Sequence, residues 1–274
     1  MKTILVATDF SSTASNAGRY AADMALAIDA EIILLHIYKM PVVYSELPAV
    51  MNESEMMQNC QNYINRLRDD LNRRTGNKLS IKTVIKKGEF FNELKDFCGE
   101  VQPYTVVMGS QGSTAMERIM FGSHTIIAMK HLMWPLVTVP PYAGFSSIKK
   151  IGLACDLNDV EETTPIDEIK TLIKDFNAEL HILNTGREEV FDPETVFESD
   201  SLRHRLKDIK PHFHFISNNN TDEDIIKFTE KNKIDMLVVL PKRRNLLEQL
   251  IHKSFSKHMI LNSHVPVMAF HRQN

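Results

Sequence analysis

No stretch of the chain approaches the roughly 18 to 20 consecutive apolar residues of a membrane span, and nothing before the first strand-like run at Thr3 reads as a basic, apolar and small-residue leader. A cytoplasmic protein that meets no membrane is expected. Cysteine is scarce: Cys60, Cys98 and Cys155 are odd in number and lack a CxxC spacing, which suits packed thiols in a reducing compartment better than a disulfide framework. Basic charge is not in excess either. Up to Phe145 there are 14 basic and 14 acidic residues, and beyond it 18 and 21, so neither half has the cationic footprint of a nucleic-acid binder. A small anionic ligand at one local site remains compatible with that balance. GxxxxGK[ST] is absent and no GxGxxG follows a first strand, which weighs against a Walker loop and a Rossmann dinucleotide site. Glycine is also sparse, ten in 274 residues, yet three fall within "VVMGSQGSTAMERIMFGS" at 106–123.

What is present begins with a repeat. "KTILVATDF" at Lys2–Phe10 returns as "KKIGLACDL" at Lys149–Leu157, and "AEIILLHI" at Ala30–Ile37 as "AELHILNT" at Ala178–Thr185. "YTVVMGSQG" and "MWPLVTVP" correspond to "IDMLVVLPKRR" and "HVPVMAFH". The first-strand aspartates are 147 positions apart and the late loops 132, so the second copy is shorter by about fifteen residues, assigned to the loop from Met40 to Glu55. Two domains are expected, 1–143 and 148–274, joined by "PPYAGFSS".

Periodicity in the first copy predicts strands at 3–8, 31–38, 80–86, 104–108 and 136–139, and helices at 12–28, 55–75, 89–99 and 123–132. The second predicts strands at 150–155, 179–184, 212–217, 235–240 and 265–270, and helices at 163–175, 195–207, 222–232 and 254–262. Strands rich in Ile, Leu and Val on both faces suit a parallel sheet covered by helices on both sides, so each half reads as a doubly wound α/β domain.

Such sheets bind ligands outside the carboxyl ends of their strands, where strand order reverses. Asp9 ends the first strand and either accepts from a ribose hydroxyl or caps the next helix. Gly109 and Gly112 let the backbone after the fourth strand turn tightly near a ligand. Gly122-Ser123 stands where the next helix begins, and its free N–H groups with the Ser123 and Thr125 hydroxyls suit phosphate oxygens.

The spacing Gly109-x2-Gly112-x9-Gly122-Ser123 resembles the ATP-binding signature of universal stress proteins, and "TDFS" at Thr8–Ser11 and the last strand "PLVTV" fit that family's order. The resemblance covers nearly the whole chain as two tandem copies. It implies a five-stranded parallel sheet ordered 3-2-1-4-5 in each half and bound ATP or AMP in the first. It places Ala7 and Asp9 beside the adenosine, the Ile37 backbone on adenine, and Met108 on the base. It puts the loop from Gly109 through Gln111, Gly112 and Ser113 to Ala115, with Ser123 to Thr125, around ribose and phosphates, with Mg2+ or Mn2+ on the phosphates. Gln111 either reaches a phosphate or is a solvated loop residue. His124 either donates to a phosphate, acts as a base, or caps the helix. The last strand in this family often pairs with another copy, so the tandem reads as an internal pseudo-dimer, with a homodimer also open.

The second half departs from the pattern. Aligned on the last motif, Pro241, Arg244 and Ser254-Phe255 stand in for the glycines and Gly-Ser, so ATP is not expected there in the family's manner, and Asp156 reads as structural. "PKRRN" is a solvated basic loop or meets another anion or an acidic partner. His212-x-His214 puts two imidazoles on one strand face, a metal pair or simple packing, with no third ligand evident. The functional expectation is a regulatory adenine-nucleotide-binding protein of stress response. A slow ATPase or nucleotidyl-transfer enzyme is the alternative, although neither an HxGH-like nor an SGGxDS-like motif is found and no catalytic residue is assigned.

Overall fold

The computed structural model describes residues 1–40, 53–110, 124–155, 157, 160–184, 193–216, 221–241 and 262–271. In the first half β1 (Lys2–Ala7), β2 (Ala30–Tyr38), β3 (Ile81–Lys87), β4 (Thr105–Gly109) and β5 (Leu136–Val139) alternate with α1 (Ser12–Ala27), α2 (Glu53–Arg74), α3 (Phe90–Val101) and α4, described over 124–131. In the second half β6 (Lys150–Ala154), β7 (Glu179–Asn184), β8 (His212–Phe215), β9 (Met236–Val239) and β10 (Val267–Ala269) alternate with α5 (Val160–Thr163), α6 (Ile166–Phe176), α7 (Pro193–Arg205) and α8 (Thr221–Asn232).

The ten strands among the described residues form one sheet in the order β3-β2-β1-β4-β5-β10-β9-β6-β7-β8, so each half has the expected 3-2-1-4-5 arrangement. Pairing is parallel within each half. The halves meet where β10 runs antiparallel to β5, Val267 opposite Thr138 and Ala269 opposite Leu136, and the Thr138 hydroxyl donates to the Val267 carbonyl at 3.1 Å. Side chains on one face of the sheet, among them Ile4, Val137, Ile151 and Met268, form one apolar cluster, and those on the other, among them Leu5, Val106, Leu237 and Val267, form a second. Both clusters cross the seam. Each fully buried Val, Leu or Ile contributes about 1.5–3 kcal/mol, so the seam is part of the core. A Lys2–Asp175 ion pair at 2.6 Å ties β1 to α6, and the Asn16 amide donates to the Pro140 and Ala143 carbonyls of the linker.

α1 lies close against the sheet because its inner face is small, with Ala14, Ala17, Gly18, Ala21 and Ala25 buried. Its counterpart in the second half, expected as a single helix from 163, is divided into α5 and α6. Pro165 lacks an N–H and disfavours helical backbone at Thr164, so the chain breaks there and α6 starts at Ile166. The expected helix 254–262, all but its last residue, and positions 41–52 of the expected long loop from Met40 to Glu55 lie outside the described residues, while Glu53 to Glu55 already belong to α2.

The ladders also correct the equivalence between the halves. Ile4 pairs with Thr105 as Ile151 pairs with Met236, and Val106 with Leu136 as Leu237 with Val267. Counting along β4 and β9 from these pairs matches Gly109 to Leu240, and Pro241 to Ser110. The loops that follow, of unequal content, place Pro241 one residue off this register; in a ladder such a slip would turn every side chain to the opposite face.

Candidate functional site

β1 sits between β2 and β4, the point where strand order reverses, and the carboxyl ends of these three strands bring Ala7, Asp9, Ile37, Met108 and Gly109 to one rim of the sheet. Ala7 and Met108 are buried in the same apolar cluster, and Ile37 packs partly buried against it. His124 and Thr125 begin the described part of α4. Gln111, Gly112, Ser113, Gly122 and Ser123 lie outside the described residues, as do Asp156, Arg244, Ser254 and Phe255 of the second half.

The chain leaves β1 through a constrained turn. Thr8 N–H still donates to the Leu35 carbonyl at 2.9 Å, Phe10 then takes a left-handed φ of 66°, and its N–H donates to Thr8 Oγ1 at 3.1 Å. Asp9 Oδ1 accepts the Ser11 N–H at 2.9 Å, and Ser11 Oγ accepts the Ala14 N–H at 3.1 Å. The helix cap is therefore Ser11, and Asp9 supports it from one turn position earlier. His36 Nδ1 is 2.8 Å from the Thr8 carbonyl. A carbonyl only accepts, so Nδ1 carries the hydrogen and Nε2 presents a lone pair. Burial holds this imidazole below its ordinary value, partly offset by the bond to Thr8 and by Asp9. Phe10 lies 4.3 Å from the His36 ring and 5.5 Å from Tyr63 of α2, giving the rim an aromatic border.

The second half repeats this turn with different residues. Leu157 has a left-handed φ of 54°, its N–H lies 3.5 Å from Cys155 Sγ, and Cys155 N–H donates to the Leu183 carbonyl at 3.1 Å. Asn184 takes the place of His36, its Nδ2 donating to the Cys155 carbonyl at 3.1 Å. A left-handed Phe or Leu is an uncommon conformation costing on the order of 1 kcal/mol or more. Its presence in both copies makes it part of the architecture, held in each by a side-chain donor at the equivalent position of the neighbouring strand, His36 or Asn184.

Gly109 has a packing role that the sequence did not reveal. A Cβ there would lie 2.9 Å from Thr13 Cγ2 and 3.2 Å from the Thr13 backbone carbonyl group, so the glycine admits the first turn of α1 against the end of β4. Thr125 is buried, and its hydroxyl donates to the Gly109 carbonyl at 3.1 Å, binding α4 to β4. His124 stacks on Phe90 with centroids 4.6 Å apart and planes 7° from parallel. Its burial lowers the imidazole below its ordinary value, against the opposing pull of Glu89 and Asp9. Phe10, His36 and Tyr63 were not among the expected site residues. The signal for His36 was a polar residue near the carboxyl end of β2, matched by Asn184 at the equivalent position of β7.

The strand order also supplies a neighbour for His212-x-His214. His181 on β7 is registered against His212, and its Nδ1 lies 3.0 Å from His214 Nε2. Two facing ring nitrogens at that distance hold one proton between them, so this contact is a hydrogen bond in which one ring donates. Glu179 Oε2 lies 3.5 Å from His181 Nε2. Among the described residues, no three His, Cys, Asp or Glu side chains gather where they could hold a metal ion.

A doubly wound α/β chain in tandem, with its candidate site at the strand-order reversal, is the class that the fold defines. The family model of the universal stress protein family matches twice, over residues 1–140 and 147–271, and the chain belongs to that family. A universal stress protein from Archaeoglobus fulgidus DSM 4304 is similar over 99% of this chain and 97% of its own, with TM-score 0.74 and 15% identity. A putative universal stress protein from Pseudomonas aeruginosa UCBPP-PA14 is similar over 99% and 93%, with TM-score 0.62 and 11% identity. A universal stress protein solved in complex with cAMP is 21% identical over 50% of this chain and 96% of its own, with TM-score 0.40. No curated protein matches the chain. Among the described residues no helix is long and apolar enough to cross a membrane.

Proposed function

We propose that this chain is an adenine-nucleotide-binding regulatory protein of stress response, taking ATP or AMP in the unit 1–143 and using the unit 148–274 as a pairing scaffold. The observation that carries this reading is the convergence of Ala7, Asp9, Ile37 and Met108 at the strand-order reversal, directly before a loop whose sequence is Gly109-x2-Gly112-x9-Gly122-Ser123. The buried faces of Ala7 and Met108 suit the apolar side of a base. Asp9 keeps a carboxylate at the rim, with Oδ1 engaged by Ser11, and so suits a ribose hydroxyl through its second oxygen. Gly112, Gly122 and Ser123 are assigned to the phosphates, together with Gln111, Ser113 and His124. Mg2+ or Mn2+ would be held mainly by the phosphate oxygens, as the described side chains gather no metal site.

In the second half, Leu240 occupies the Gly109 position and packs against the cluster that contains Leu157 and Val160, which supports a nucleotide site in the first half only. The internal β5–β10 pairing uses the edge through which a separate copy would join. A further homodimer through other surfaces and a cytoplasmic location remain expectations of the same reading. Isothermal titration with ATP and AMP tests it. One nucleotide per chain is expected for the wild type, and none for Gly122→Arg, whose side chain fills the phosphate position. A folded, ligand-free wild type that gives no heat with either nucleotide sinks the reading, and steady multiple turnover to ADP would favour the slow ATPase.

A further inference from the structure

The helix that carries His124 and Thr125 is held at its far end by the other half of the molecule. The last carbonyls of a helix have no partner within it. In α4 the Ala128 carbonyl accepts the Leu132 N–H at 2.8 Å, and the Met129 carbonyl accepts from Nε2 of His271, the second residue past β10. A carbonyl cannot donate, so Nε2 carries the hydrogen. His271 and Met129 are both buried, and Ala128, Met129 and Leu132 share an apolar cluster with Val267 and Ala269 of β10. α4 thus rests on both halves. At its other end Thr125 is bonded to the Gly109 carbonyl and His124 is stacked on Phe90. Thr125 and Met129 are four positions apart, about 6 Å along a helix, so a shift at one end moves the other as a rigid piece.

The two copies differ at this position. Extending the β4–β5 and β9–β10 ladders puts Pro140 at the position of His271 in the first copy, and proline has no side-chain donor. The brace therefore runs from the second half into the first, toward the half that keeps its glycines.

We propose that His271 is a positioning residue through which the second half sets α4, and with it His124 and Thr125, and so controls nucleotide affinity at the first-half site. This rests on the nucleotide reading above. Coupling of this kind is ordinarily worth a 5- to 150-fold change in affinity, and the loss of one hydrogen bond belongs near the lower end.

The test uses the full chain, with isothermal titration of MgATP and AMP and amide exchange over 124–133. His271→Leu, which keeps bulk and removes the donor, is expected to weaken binding about 5- to 10-fold and to speed exchange in α4. His271→Gln, which retains an N–H donor, is expected to recover most of both. His271→Asn, whose donor falls short of Met129, should behave as Leu does and serves if the Leu variant does not fold. Affinity within twofold of wild type for Leu or Asn overturns the proposal, as does equal impairment of Gln and Leu, which would assign the effect to packing alone. If wild type takes up neither nucleotide, the functional reading fails separately, and unchanged α4 exchange in His271→Leu then overturns the brace itself.

Discussion

Replacing Gly109 with alanine places a methyl carbon 2.9 Å from Thr13 Cγ2 and 3.2 Å from the Thr13 carbonyl carbon and oxygen. Thr13 is buried in the first turn of α1, so neither its methyl nor its backbone has open space to retreat into. The Gly109 carbonyl is fixed by Thr125, which also prevents the strand end from moving away freely. Overpacking of this kind costs about 1–3 kcal/mol, and in a chain of this size each kcal/mol lowers the melting temperature by roughly 2–4 °C. Urea and thermal denaturation of ligand-free Gly109→Ala should show that loss. Thr13→Ser removes the methyl at 2.9 Å and keeps the hydroxyl, so the double variant should recover at least 0.5 kcal/mol relative to additivity. The backbone contact at 3.2 Å should keep recovery incomplete. A Gly109→Ala protein as stable as wild type, or strict additivity in the cycle, refutes the packing explanation. Unchanged stability with lost nucleotide affinity would return Gly109 to a role in ligand approach alone.

Two further outcomes can be measured. Thr125→Val keeps the shape and removes the donor to the partly buried Gly109 carbonyl, so chemical denaturation should register a loss of about 0.5–1.5 kcal/mol; an unchanged midpoint would mean that α4 does not depend on this bond. His181 and His214 are held below the ordinary imidazole value, first by burial and then by neighbouring cationic character, with Glu179 opposing this at His181. A value depressed in the folded state means that the unfolded chain binds protons first, so the stability contributed by the pair is complete above about pH 6.5 and declines as pH falls below it. Urea midpoints from pH 5 to 8 should show that decline, and His214→Phe should flatten it; an identical slope in the variant would remove the pair as its source.

The sheet was legible because its strands announce themselves. "TILVA" and "EIILLHI" are apolar on both faces, and the repeat of these segments pointed to two domains, while the strand order of each half followed from the resemblance to universal stress proteins. Helix boundaries were close wherever caps are local, as at Ser11. Other features depended on three-dimensional neighbours. The role of Gly109 is set by Thr13, nearly a hundred residues away, and the residue equivalent to it had to be read from the ladders rather than from loops of different composition. His212-x-His214 was visible on one strand, but His181 joins it only when β7 lies beside β8. Phe10 and Leu157 show no glycine or asparagine signal for a positive φ, since the turn is imposed by hydrogen bonds from the neighbouring strand rather than chosen by local preference.

In a dimer of identical chains every substitution appears twice, once on each side of the symmetry axis, so neither partner can change without the other. The antiparallel β5–β10 seam joins two units encoded separately in one chain and frees them from that rule. One unit can keep glycine at 109 while the other carries leucine at 240, and histidine at 271 in one can correspond to proline at 140 in the other. The covalent link also fixes the stoichiometry at one of each, whatever the concentration of the protein. Division of labour between the two units is therefore heritable in a way that a symmetric pair does not permit.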